Sequence, residues 1–164
     1  MFRTGLLFLI LITFIGCMSS SKPGDYERAS NEIDNLYQQF SEAYDSLDID
    51  KVTNLYADSA FYLMPNPQAP VLKGQSSIRE SFASYINGSA DENRHIEIDF
   101  RIINRTISDS LAYDVGYYRT RSKPDTAASF QNVGSVGKFV TVIGLMPDGS
   151  WKFLLDGYNT APPE

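Results

Sequence analysis

The sequence predicts an α+β domain, with helices gathered early in the chain and a run of antiparallel strands after them. Three observations carry this. Apolar residues recur at helical spacing from Ile33 to Leu47. From His95 onward the period shortens to two, with Ile96, Ile98, Phe100 and Ile102 alternating against Glu97, Asp99, Arg101 and Ile103, the signature of a half-buried strand. Near the end, from Lys138 to Asn159, two apolar runs flank Pro147-Asp148-Gly149, a hairpin signal.

The closing hairpin sets the register of its strands. Pro147 suits the first central position of a type I turn, and Gly149 the left-handed position after it. A three-residue turn pairs Met146 with Ser150, so Leu145 faces Trp151, Ile143 faces Phe153, Thr141 faces Leu155 and Phe139 faces Gly157. One face is then almost wholly apolar. The other holds Val140, Val142, Leu154, Asp156 and Tyr158 with Lys138 and Lys152.

The remaining elements follow in order. The segment 1–16 carries one positive charge, Arg3, and then an apolar run too short to span a bilayer comfortably but suited to an export signal. Residues 17–24 form a polar tether, and 25–164 make one domain by length, long enough to bury a core without staples. Ile33, Leu36, Tyr37, Phe40, Ala43, Tyr44 and Leu47 form one stripe of a first helix, Asp25 to Leu47. Asp48 or Asp50 can cap a short second helix through Tyr56. A strand follows, Ala60 to Met64, then a loop stiffened by Pro65, Pro67 and Pro70. A third helix starts near Ser77, whose spacing to Glu80 makes a capping box, and ends at Asn87-Gly88. In the strand Leu111–Arg121, Tyr113, Val115 and Tyr117 alternate with Ala112, Asp114 and Gly116. Ser122–Gly134 reads as a loop.

Composition narrows the function. The net charge is −6 with scattered acids, which is no nucleic-acid footprint. One histidine and one cysteine leave no zinc site and no disulfide within the chain. No cofactor is expected, since no glycine-rich phosphate loop follows any strand.

Two resemblances go further. Phe14-Ile15-Gly16-Cys17 resembles a bacterial lipoprotein signal, which implies lipidation of Cys17 and a membrane-anchored, exported protein facing the periplasm or the cell surface. Leu55-Tyr56-Ala57-Asp58-Ser59-Ala60, Leu72-Lys73-Gly74-Gln75, Gly137-Lys138-Phe139, Asp148-Gly149-Ser150-Trp151-Lys152-Phe153 and Asp156-Gly157-Tyr158-Asn159 together resemble the SnoaL-like, ketosteroid-isomerase-like branch of the nuclear-transport-factor-2-like superfamily. That resemblance implies a curved antiparallel sheet wrapped around a long N-terminal helix, a cone-shaped α+β barrel. It also implies a catalytic carboxylate or His-Asp pair in the cone of active members, although the fold alone assigns no chemistry.

By strand parity, Asp156, Glu97, Asp99 and Asp114 point away from the core. His95 takes the outer parity, and Asp58 suits a turn or capping role. The inner face is aromatic instead. Tyr44, Tyr62, Met64, Phe100, Tyr117 and Phe139, with Thr141 and Asn159 at the mouth, would suit a small, mostly apolar ligand, and plain core packing accounts for the same rings. The expected function is therefore a lipid-anchored binding domain. The alternative is a cofactor-independent acid/base enzyme of isomerase or hydro-lyase type, favoured if any acid lies inside the cone. The apolar group Val140, Val142, Leu154 and Tyr158 on the outer sheet face leads us to expect a homodimer.

Overall fold

The structure is a computed structural model that describes residues 23–91, 94–124 and 134–160. The lipoprotein signal, Cys17 and the tether up to residue 22 lie outside the described residues.

Helix α1, Pro23–Asp45, opens the domain. Its stripe of Ile33, Leu36, Tyr37, Phe40, Ala43 and Tyr44 is buried throughout. Leu47 leaves the helix with φ 52°, and Asp48 caps α2, Ile49–Asn54, by accepting the Lys51 amide at 2.9 Å. Strands β1, Tyr56–Leu63, and β2, Leu72–Lys73, lead to α3, Gln75–Asp91. This helix starts two residues before Ser77, after Gly74 at φ 87°, and runs through Asn87-Gly88 rather than stopping there. A glycine inside a helix costs only about 1 kcal/mol, which the burial of Ile78, Phe82 and Ile86 outweighs.

Strands β3, Arg94–Ile107, β4, Leu111–Pro124, β5, Val136–Leu145, and β6, Trp151–Tyr158, complete the sheet. β4 continues three residues into the segment expected to be loop. The strand order is β2-β1-β6-β5-β4-β3. All pairs are antiparallel except one: the last strand lies parallel to β1, where the sequence led us to expect only antiparallel neighbours. The sheet is curved and unclosed, with α1 and α3 on its concave side. Trp151 is buried against α1, its Nε1 donating to Glu32 Oε2 at 3.0 Å.

The hairpin turn forms as expected. Gly149 has φ 85°, Met146 N–H bonds Ser150 O at 2.7 Å, and Gly149 N–H bonds Met146 O at 2.9 Å. Pairing stays regular through Ile143–Phe153 and then slips by one residue. Leu154 is the extra residue of a bulge. It lies over Gly144, where a built Cβ would meet Leu154 Cδ1 at 2.7 Å, so the bare glycine makes the space. Beyond it, Thr141 faces Asp156 and Phe139 faces Tyr158. A one-residue slip exchanges the two faces. Asp156 and Tyr158 therefore turn inward and Leu155 outward, correcting the register extrapolated from the turn.

A second bulge, at Ile103 in β3, turns Arg105 inward opposite Asp114. Strand β4 has the parity opposite to the one its tyrosines suggest. Ala112, Asp114 and Tyr118 are buried, while Tyr113 and Tyr117 stand 45% and 48% exposed.

Candidate active site

The concave side of the sheet and the two long helices enclose a cavity of about 280 Å³. Its walls are rings: Phe40 and Tyr44 from α1, Phe82 and Tyr85 from α3, Tyr62 from β1, and Phe100, Tyr118, Phe139 and Tyr158 from the sheet. Met64 and Ile98 fill between them, and Ser81, Thr120, Ser135 and Thr160 add hydroxyls. The rings hold one another in edge-on and tilted contacts, Phe40–Phe100 at 5.5 Å and Tyr62–Phe82 at 5.4 Å between centroids, geometries that aromatic quadrupoles favour.

Among the described residues one acid lines this cavity, Asp156. Tyr56, fully buried at the start of β1, donates its hydroxyl to Asp156 Oδ2 at 2.5 Å. Oδ1 has no hydrogen-bond partner among the described residues. Burial disfavours the charged carboxylate more than the Tyr56 bond favours it, and the pKa rises to about 6. The negative charge is felt around it. Tyr56 and Tyr62 are pushed up first by burial and also by Asp156, and Tyr44, Tyr118 and Tyr158 respond in the same direction. A carboxyl poised near neutrality in the wall of an aromatic chamber, with one oxygen anchored by a hydroxyl, can accept and return a proton.

Asp156 belongs to a polar file that crosses the sheet. In register across neighbouring strands from β3 to β1 stand Arg105, Asp114, Thr141, Asp156 and Tyr62. Arg105 grips the fully buried Asp114 with Nε at 2.9 Å and Nη2 at 2.8 Å, a bidentate pair. Its Nη1 donates to Ser30 O at 2.9 Å and Asp34 Oδ1 at 2.7 Å on α1. Burial works against the guanidinium charge, but Asp114 and Asp34 outweigh it and hold its pKa above the ordinary value. Tyr37 on α1 meets Thr141 hydroxyl to hydroxyl at 2.7 Å. The bulges that turn Arg105 and Asp156 inward thus build both ends of the file.

Tyr44, Tyr62, Met64, Phe100 and Phe139 come together in the cavity wall as their inner parity implied. Three expected residues do not. Tyr117 projects from the convex face, beside Arg101 and Lys138. Thr141 is buried against Tyr37 beneath the floor. Asn159 is exposed at the sheet end, its Oδ1 accepting the Lys138 amide at 2.8 Å. Asp156, Tyr56 and Asp114 are the residues that sequence reasoning missed. The doublet Leu154-Leu155, of which an alternating strand can bury only one, was a signal for the first. Arg105 and Asp114, equidistant from the Ser108–Leu111 turn, were a signal for the last. His95 is exposed, 4.0 Å from the Asp45 carboxylate. Asp58 is exposed within β1. Among the described residues, no three His, Cys, Asp or Glu side chains cluster as metal ligands would.

The sequence model of the SnoaL-like domain matches residues 33–154. The chain belongs to the SnoaL-like domain family. No curated protein matches it in sequence. Solved structures agree on the fold. A ketosteroid isomerase-like protein from Erwinia carotovora atroseptica superposes with a TM-score of 0.61 at 15% identity, over 81% of this chain and 96% of that one. An NTF2-like family protein from Streptomyces avermitilis, provisionally assigned as a dehydratase, gives 0.65 at 17% identity, over 84% and 99%. An NTF2-like protein with a cystatin-like fold from Novosphingobium aromaticivorans gives 0.67 at 12% identity, over 88% and 94%.

Proposed function

We propose that this domain takes a small, largely apolar molecule into its aromatic cavity and moves a proton on it with Asp156, as a cofactor-independent acid/base enzyme of isomerase or hydro-lyase type. One observation carries the reading: an acid with a pKa of about 6 sits in the cavity wall, held by a single tyrosine hydroxyl. A plain binding pocket has no need of it, because enclosing a carboxylate costs stability. With Oδ2 held by Tyr56, Oδ1 is the proton acceptor. Once protonated, the carboxyl is neutral in its apolar surroundings and can return the proton to a neighbouring carbon or to a leaving hydroxyl. The ketosteroid isomerase-like and dehydratase-assigned neighbours point to the same reaction classes by fold analogy.

The test is independent of the natural substrate. A panel of carbon acids, small cyclic ketones and iminium ions, is incubated with the protein in D2O and followed by proton NMR. Accelerated loss of the C–H signals, abolished in Asp156→Asn, supports the reading. A panel in which no member exchanges faster than with Asp156→Asn removes it.

We further propose that the domain works at a membrane surface, tethered through lipidated Cys17. The N-terminal apolar run and its single cysteine support this. Cys17→Ser should release the protein from membranes or leave its signal uncleaved; unchanged fractionation and processing refute it.

A further inference from the structure

The charge inventory of the cavity is one-sided. Among the described residues that line it, Asp156 is the one ionisable group besides tyrosine; there is no Lys, Arg or His. The cations of the neighbourhood are committed elsewhere: Arg105 is bound by Asp114 and Asp34, while Arg101 and Lys138 lie on the convex face. An anionic ligand would meet a part-buried carboxylate and no counter-charge. A neutral ligand would leave Asp156 either ionised without compensation or obliged to take up a proton. A cation supplies the counter-charge that the chamber lacks.

The walls favour the same charge. Ring faces carry negative quadrupole potential, and aromatic enclosures bind ammonium groups through it. Tyr62, Tyr158, Tyr44 and Tyr118 surround Asp156 closely enough for each to respond to its charge. Each adds a hydroxyl oxygen able to turn a lone pair inward. We propose that the ligand of this cavity is a lipophilic organic monocation, an amine-derived ammonium or iminium ion of one or two rings, paired with Asp156 inside the aromatic cage. This rests on the acid/base reading of the same site and names its substrate class. The volume of about 280 Å³ lies at the small end of ligand pockets, about 300–1,000 Å³, which sets the limit on size.

The pH dependence follows. Among the described residues the titratable groups around Asp156 are all tyrosines, Tyr85 of α3 included, and burial raises Tyr37 and Tyr44 from α1, Tyr56 and Tyr62 from β1, Tyr118 from β4 and Tyr158 from β6 above the ordinary value. None changes charge near neutrality, so Asp156 alone sets the profile. A cation binds the ionised carboxylate, so its affinity is level above pH 6 and falls about tenfold per unit below. A neutral ligand shows the reverse, level below pH 6 and weakening above.

The experiment is calorimetric titration of the full chain from pH 4.5 to 8 with the isosteres phenyltrimethylammonium and neutral tert-butylbenzene, and with benzoate as an aromatic anion. The expected result at pH 7.5 is ammonium affinity at least tenfold above the neutral isostere, with benzoate not binding and the ammonium affinity declining below pH 6. Asp156→Asn should lose the ammonium preference while still taking up tert-butylbenzene, which also shows that the variant is folded. The wild-type pH profile decides the matter should that variant fail to fold. A neutral isostere that binds as tightly as the ammonium at pH 7.5, an ammonium affinity indifferent to pH, a preference that survives Asp156→Asn, or no binding by any probe overturns the proposal. Ammonium binding without isotope exchange would sink the acid/base reading and leave the ligand class standing; exchange without ammonium preference would do the opposite.

Discussion

Asp156 is ionised only at a cost to the fold. Its pKa is about 6 in the folded chain against the ordinary 3.8, so between those values the folded protein holds a proton that the unfolded chain has released. Stability is therefore fully present below pH 3.8, falls as pH rises through that window and is lowest above pH 6. At about 1.4 kcal/mol per pKa unit the difference amounts to about 3 kcal/mol. Asp156→Asn should raise the unfolding free energy by up to that amount at pH 8 and change it little at pH 4, measured by urea denaturation at both. An equal effect at the two pH values would mean that the carboxyl is not enclosed. Tyr56→Phe removes the one bond that favours the charged form, so the Asp156 carboxyl, followed by carbon-13 NMR, should titrate above pH 6.

At the scale of the element, the bulged strands decide what the site contains. Regular alternation carried the sequence reading through β5 and the first three residues of β6. It failed where Leu154 slips over Gly144, because a bulge depends on a gap in the opposite strand that local sequence does not display. It failed differently in β4. Tyr113 and Tyr117 look like core, and Asp114 looks like surface, until Arg105 is seen across the turn. A buried charge is tolerated only with its partner. Removing one side by Asp114→Ala should cost about 3–5 kcal/mol, read as a lower denaturation midpoint, and an unshifted midpoint would show the pair to be solvated. The parts of the reading that held, α1, the capped α2 and the 146–150 turn, rest on signals confined to a few neighbouring residues. Trp151, placed inward by that turn and closed over by Glu32, should lose about 3–5 kcal/mol of stability on truncation to Ala; an unchanged unfolding midpoint would contradict its burial.

At the scale of the whole molecule, the sheet presents two unlike surfaces. The concave one holds the cavity. The convex one exposes Ile103, Tyr113, Tyr117 and Val140, with Arg101 and Lys138 beside Tyr117. We propose that this field of large apolar side chains is a contact surface for a second copy. The patch differs from the one first drawn: Tyr158 belongs to the cavity, and the β4 tyrosines replace it. A chain beginning at residue 25 should sediment as a dimer, and Val140→Lys should return it to monomer. A monomer at high concentration without the substitution would exclude this surface as the contact.

The parallel seam between β1 and β6 has a consequence for how the chain is made. β6 is the last of the six strands of this sheet to be synthesised, yet it stands third in the sheet, joining the β1–β2 arm to the β3–β5 meander. While translation is still short of Trp151, neither part has its shared partner, and two strand edges stay open. The acid that completes the cavity arrives on that same strand. A nascent chain released early would carry the helices and the meander but neither a continuous sheet nor Asp156, so the candidate chemistry begins only when the sheet is finished.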